Sequence, residues 1–190
     1  MQWLTRAAAM VLVLGPMALF CPAQSGQQPG RDFEVVDQNG QKIHFYRDVV
    51  AGKVVAIDFI FTTCRTVCPT LGLTFARVEK LLGAQAGSGI QLISISVDPI
   101  NDTPEQLREF AARAYEHTGW RPGAKPGWTL LTGEKRNVDE LLRALGGFTP
   151  DKLLHSTTVL IGRGDGAWVR VNGLGPADKI AKLLFDEAPH

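Results

Sequence analysis

Apolar and polar positions alternate on both sides of Asn39-Gly40 in the stretch DFEVVDQNGQKIHF (32–45), which predicts two short strands joined by a tight turn. A different pattern follows. KVVAIDFIF (53–61) and IQLISISVD (90–98) are almost continuously apolar and rich in β-branched residues, which predicts central strands covered on both faces; Asp58 interrupts the first. Leu71, Phe75, Val78 and Leu82 recur at helical spacing between Pro69 and Gly83. In DTPEQLREFAARAYEHTG (102–119) Thr103 is placed as a helix cap, Pro104 opens the first turn and Gln106 completes a capping box. WTLLT (128–132) reads as a short strand and NVDELLRALG (137–146) as a helix. STTVLI (156–161) and AWVRV (167–171) flank the turn GRGDG as a hairpin, and ADKIAKLL (177–184) closes the chain as a helix.

Strands alternating with helices, with a hairpin at each end, predict an α/β fold around a mixed central sheet. At 190 residues and 45% apolar composition, a single globular domain is expected, here assigned to residues 32–188. Ahead of it, residues 1–23 hold one cation, Arg6, and then AAAMVLVLGPMALFC, the layout of a secretory signal with cleavage options after Ala23 or Ser25. The roughly fifteen apolar residues fall short of the ~20 that span a bilayer, so a short membrane anchor is the weaker alternative and leaves room for membrane association through the amino terminus. Phe20 just before Cys21 fits a lipid-anchored cysteine poorly. Residues 24–31 read as a linker. The protein is expected to be exported, to the periplasm or the outer face of an inner membrane, and to act as a monomer.

Cleavage removes Cys21 and Arg6, leaving nineteen cations against nineteen anions and only Cys64 and Cys68 as thiols. No Lys/Arg cluster interleaved with aromatics appears, so nucleic acid is not an expected partner. Two cysteines in one decapeptide cannot staple distant segments. They sit where the first central strand gives way to the first helix, the end of an open α/β sheet at which ligands gather.

Residues four apart at a helix entry point the same way, so the two sulfurs can bond to each other or converge on one ion. The helix start, with Arg65 nearby, is expected to favour thiolate. A dithiol oxidoreductase usually has two residues between its cysteines; here Arg65, Thr66 and Val67 make three, a gap that suits a metal. Two thiolates and one imidazole form a soft site matched to Cu(I), able to hold Cu(II) or Zn(II) with a further ligand. Of the four histidines, His44, His117 and His190 lie in a hairpin, at a helix end and at the carboxyl terminus. His155 immediately precedes a strand that should lie near the cysteine loop.

Three blocks, GKVVAIDFIFTTCRTVCPT, ISISVDPINDTPEQLREF and LLHSTTVLIGRGDG, resemble the signature segments of the Sco/SenC family, exported copper proteins of thioredoxin fold that assist cytochrome c oxidase assembly. The similarity runs from about Phe33 to Leu184. It implies a thioredoxin-like three-layer fold, copper as cargo, Cys64, Cys68 and His155 as its ligands, and Asp98, or less readily Asp102, as an acidic neighbour of the site. It also implies the copper-bearing subunit of the oxidase, and another copper carrier, as partners. Many relatives carry acidic residues between the cysteines and just before the histidine, where this chain has Arg65-Thr66-Val67 and Leu154; that change should weaken Cu(II) more than Cu(I).

The rival class is an enzyme, a thiol-disulfide oxidoreductase in which Cys64 attacks and Cys68 resolves. Only the copper reading needs His155. A peroxidase is disfavoured because the segment before Cys64, IFTT, lacks the expected proline. The RGD tripeptide at 163–165 reads as a turn flanked by glycines. Asp58 is left as either a proton acceptor for a thiol, as a buried carboxylate of raised pKa, or a hydrogen-bonded structural group.

Overall fold

The computed structural model describes residues 32–123, 125–164 and 168–188. The predicted amino-terminal hairpin is the first element: Glu34–Asp37 (β1) and Lys42–His44 (β2) pair antiparallel, and Gly40 in the turn takes φ 81°, a conformation that suits glycine. The signal segment and linker expected at 1–31, with Cys21, lie outside the described residues, as does His190. Among the described residues, no helix is long and apolar enough to cross a membrane.

The remaining elements follow in the predicted alternation. They are Val54–Ile60 (β3), Cys68–Leu82 (α1), Ile90–Ser96 (β4), Pro104–Thr118 (α2), Trp128–Thr132 (β5), Lys135–Leu145 (α3), Thr158–Arg163 (β6), Val169–Asn172 (β7) and Ala177–Glu187 (α4). The capping box forms as written in the sequence: the Gln106 N–H donates to the Thr103 hydroxyl, and the Thr103 N–H donates to the Gln106 side chain. A turn of π-helix at Phe45–Val50, absent from the sequence reading, links β2 to β3; its first amides, Tyr46 and Arg47, donate to the Asp32 carboxylate.

The seven strands among the described residues form one sheet in the order β2-β1-β5-β4-β3-β6-β7. β3, β4 and β5 run parallel, and β6 and β1 lie antiparallel to the strands they join. Every position of β3 and β4 is buried, which explains their continuous apolar runs. One face packs Leu71, Phe75, Leu107, Phe110, Ile180 and Leu184 from α1, α2 and α4; the other packs Val138, Leu141 and Leu142 from α3 against Ile57, Phe59 and Ile93. Three layers result.

Asp58 is the polar intruder in β3. It is fully buried, and its Oδ1 accepts a 2.5 Å hydrogen bond from Ser94, whose oxygen in turn accepts the Trp128 indole N–H at 2.9 Å. Its Oδ2 has no hydrogen-bond partner among the described residues. Burial raises the carboxyl to about 7, against the Ser94 bond, which favours the ionised form. Between the ordinary value of 3.8 and about 7, the folded chain therefore holds a proton that the unfolded chain has lost. The stability this proton confers is full below that window and is lost as pH rises through it, a change on the order of 4 kcal/mol. Asp58→Asn should flatten the fall in urea stability between pH 4 and pH 8; an unchanged slope would contradict this assignment.

Candidate metal centre

The hydrogen-bond register between β3 and β6 brings the distant histidine to the cysteine loop. Ile57 opposes Leu160, and because the strands are antiparallel, each step onward along β3 is matched by a step back along β6. Continuing past the end of β3, Phe61 comes level with Ser156, next to His155. The rings of Phe61 and His155 meet edge to face with centroids 5.4 Å apart.

From Phe61 the chain turns sharply, the Cys64 N–H donating to the Phe61 carbonyl at 3.2 Å, and enters α1 at Cys68. The Cys68 N–H, free at the helix start, points to the Cys64 sulfur at 3.5 Å. His155 Nε2 lies 3.4 Å from the Cys68 sulfur. The two sulfurs and one ring nitrogen all fall within 4.8 Å of one another. Metal bonds of about 2.0–2.3 Å to sulfur and nitrogen set three donors about 3.5–4 Å apart around a shared ion, so the triad fits a cation with small adjustments. His155 Nδ1 donates to the Ser156 carbonyl at 3.2 Å, which leaves the Nε2 lone pair aimed at the sulfurs. Burial lowers the His155 pKa below its ordinary value of 6.5, keeping the ring neutral at pH 7.

The two thiols differ. Cys68 is fully buried and Cys64 partly exposed, and no disulfide joins them. Burial opposes ionisation of Cys64, but hydrogen bonds from the Thr66 hydroxyl, the Cys68 and Thr66 N–H groups and the Cys68 thiol outweigh it and bring the pKa down to about 7. Cys68 moves the other way: burial, with the negative charge of Cys64 and Asp58 nearby, pushes it well above the ordinary thiol range. The expectation that the helix start favours thiolate thus holds for Cys64 alone. For Cys68 desolvation wins, and Arg65 is not among the groups that act on Cys64.

Asp98 touches none of the three donors. Its carboxylate pairs with Lys152 at 2.5 Å and accepts from the Asn101 side chain. Through Lys152 it tethers the turn Lys152–Leu154 that delivers His155. The Lys152 ammonium also stands 5.2 Å from the centre of the Phe61 ring. Asp102 is buried and accepts from the Thr62 N–H (3.1 Å) and hydroxyl (2.6 Å) and from Ser96 (2.6 Å), fixing the start of the cysteine loop. His44 is 3.9 Å from Asp32, and His117 donates through Nδ1 to the Arg113 carbonyl; neither belongs to the triad. Sequence reasoning did not single out Thr66 or Lys152. Their signals were a hydroxyl two residues after a thiol and a cation three residues before the histidine.

Fold and triad together define a thioredoxin-like protein with a Cys-x-x-x-Cys pair and a histidine placed to share one ion. The SCO1/SenC family model matches residues 22–182, and the chain belongs to that family. A SCO1 protein homolog from Bacillus subtilis is 33% identical over 136 residues, 68% of this chain and 65% of that one. A putative copper-binding protein from Stutzerimonas stutzeri is 32% identical over 113 residues, 60% of this chain and 50% of that one. The matches thus span between one-half and just under two-thirds of the length of these relatives. The solved structure of BsSco, a member of the Sco family of cytochrome c oxidase assembly proteins in which a disulfide switch was identified, superposes with a TM-score of 0.64 at 28% identity, covering 83% of this chain and 91% of that one.

Alkylation should reveal the difference between the thiols. Iodoacetamide labelling of the reduced chain, followed by peptide mass spectrometry, is expected to titrate at Cys64 with a midpoint near pH 7, in line with its pKa of about 7, while Cys68 stays unlabelled until the chain unfolds. Thr66→Val should move the midpoint upward. Equal labelling of both cysteines at neutral pH would contradict the asymmetry.

Proposed function

We propose that the chain is an exported copper-binding protein that carries a single copper ion on Cys64, Cys68 and His155 and helps assemble the binuclear copper centre of cytochrome c oxidase. The observation that carries this reading is the convergence of two sulfurs and a neutral imidazole from segments 87 residues apart. Such a donor set matches a soft cation. The copper-binding relative and the oxidase-assembly protein of similar fold support the choice of copper and of the oxidase as destination. Among the described residues no carboxylate bonds to any of the three donors, and the spacer Arg65-Thr66-Val67 supplies no anion, so Cu(I) is the favoured form. The copper-bearing subunit of the oxidase is the proposed recipient and a second copper carrier the proposed donor.

A second reading, reduction of disulfides in the recipient, is favoured by one observation: a thiol near pKa 7 at the surface beside a buried thiol of raised pKa is the division expected of an attacking and a resolving cysteine. The two readings part at His155. In Cu(I) titration against a competing chelator, the reduced chain should bind one ion. Loss of an outer hydrogen-bond partner typically weakens metal binding roughly 10–100-fold, so Thr66→Val, which removes the hydroxyl beside the Cys64 sulfur, should cost about tenfold and His155→Ala, which removes a donor, more than 100-fold. If His155→Ala leaves stoichiometry and affinity untouched while disulfide reduction persists, the reductase reading replaces the copper one.

A further inference from the structure

A groove of about 220 Å³ lies along the seam of α1 and α2 and reaches the metal triad at Cys64. Its apolar walls include Leu73 from α1 and Phe110 from α2, and Arg113 and His117 from α2 supply basic side chains. Gly72 gives the seam its shape: a Cβ there would stand 2.9 Å from the Phe110 ring, so only glycine lets that ring lie against α1. The volume is below the roughly 300–1,000 Å³ of pockets that enclose a drug-sized ligand, and suits one or two side chains of a longer segment lying across the surface.

Charge narrows the occupant further. Arg113 has an ion pair with Glu109, an exposed contact at 3.8 Å that solvent screens. Arg77, one turn beyond Leu73 on α1 and exposed, adds a second arginine, on the same face of α1 as Leu73. A soft ion held by Cys64 passes most readily to an incoming ligand that is itself soft, and a thiolate sulfur is the closest match to the one it leaves. We propose that the groove between α1 and α2 docks the copper-exchanging partner through an acidic, extended segment that seats an apolar residue against Phe110 and brings a cysteine to Cys64. The inference rests on the copper reading and adds to it the chemistry of the partner.

The test uses the full chain, reduced, with fluorescein-labelled octapeptides of sequence Gly-Cys-Gly-Leu-Ala-Glu-Glu-Gly in both chain directions, and their counterparts with Lys-Lys for Glu-Glu or Ser for Cys. Fluorescence anisotropy should show the Glu peptide binding more tightly than the Lys peptide. Arg113→Glu, at a side chain 54% exposed and outside the triad, should weaken the Glu peptide roughly tenfold and improve the Lys peptide. On the Cu(I)-loaded chain the Cys peptide should withdraw copper faster than the Ser peptide, and Arg113→Glu should slow withdrawal while chelator-measured Cu(I) affinity stays unchanged. Equal binding of the Glu and Lys peptides, or no response to Arg113→Glu, would overturn the proposal. Charge-dependent docking by a chain that holds no Cu(I) would instead refute the copper reading and leave the groove as a docking site.

Discussion

The antiparallel pairing of β3 with β6 fixes where His155 stands, and the candidate site depends on it. Four paired positions from Val54 opposite Arg163 to Ile57 opposite Leu160 leave no freedom at the strand ends. A slip of one residue would turn every side chain of β6 to the opposite face. Val159 and Ile161 would then leave the layer of α1, α2 and α4, and Leu160 the layer of α3. The hydrophobic core therefore enforces the register, and the register brings the histidine to the cysteines. Lys152 and Asp98 add a second constraint, holding the short turn before His155 to the end of β4.

Within that frame the two sulfurs have different environments for one reason, depth. Cys68 opens α1 with its side chain in the apolar layer; Cys64 precedes the helix and remains in reach of solvent and of Thr66. In the proposed copper site, a cation at the rim would meet the more acidic sulfur of Cys64 first, and Cys68 would give up its proton on binding. The same asymmetry serves nucleophilic attack by Cys64 on a disulfide. The two proposed readings, copper carriage and thiol exchange, would thus draw on one arrangement, and only the first would require the imidazole.

Much of this was legible in the sequence, because the signals were local. The continuous apolar runs announced β3 and β4, the Asn39-Gly40 pair announced the first hairpin, and Thr103 with Gln106 announced the start of α2. The cysteine pair and His155 could be nominated from their positions beside strands. Long-range facts were not legible. The sheet order, with Val36 of β1 opposite Thr132 of β5, joins residues almost a hundred positions apart. The partner of Asp98 is 54 residues away, so its direction toward Lys152 could not be read from its own neighbourhood. The opposite shifts of Cys64 and Cys68 follow from burial, which spacing alone does not report.

X-ray absorption at the copper edge of the Cu(I)-loaded full chain tests the central claim most directly, because it counts the atoms bound to the ion. The account predicts two sulfur scatterers and one imidazole nitrogen, with the nitrogen lost in His155→Ala. A shell of sulfur alone in the unsubstituted chain, or one unaltered by that substitution, would contradict it.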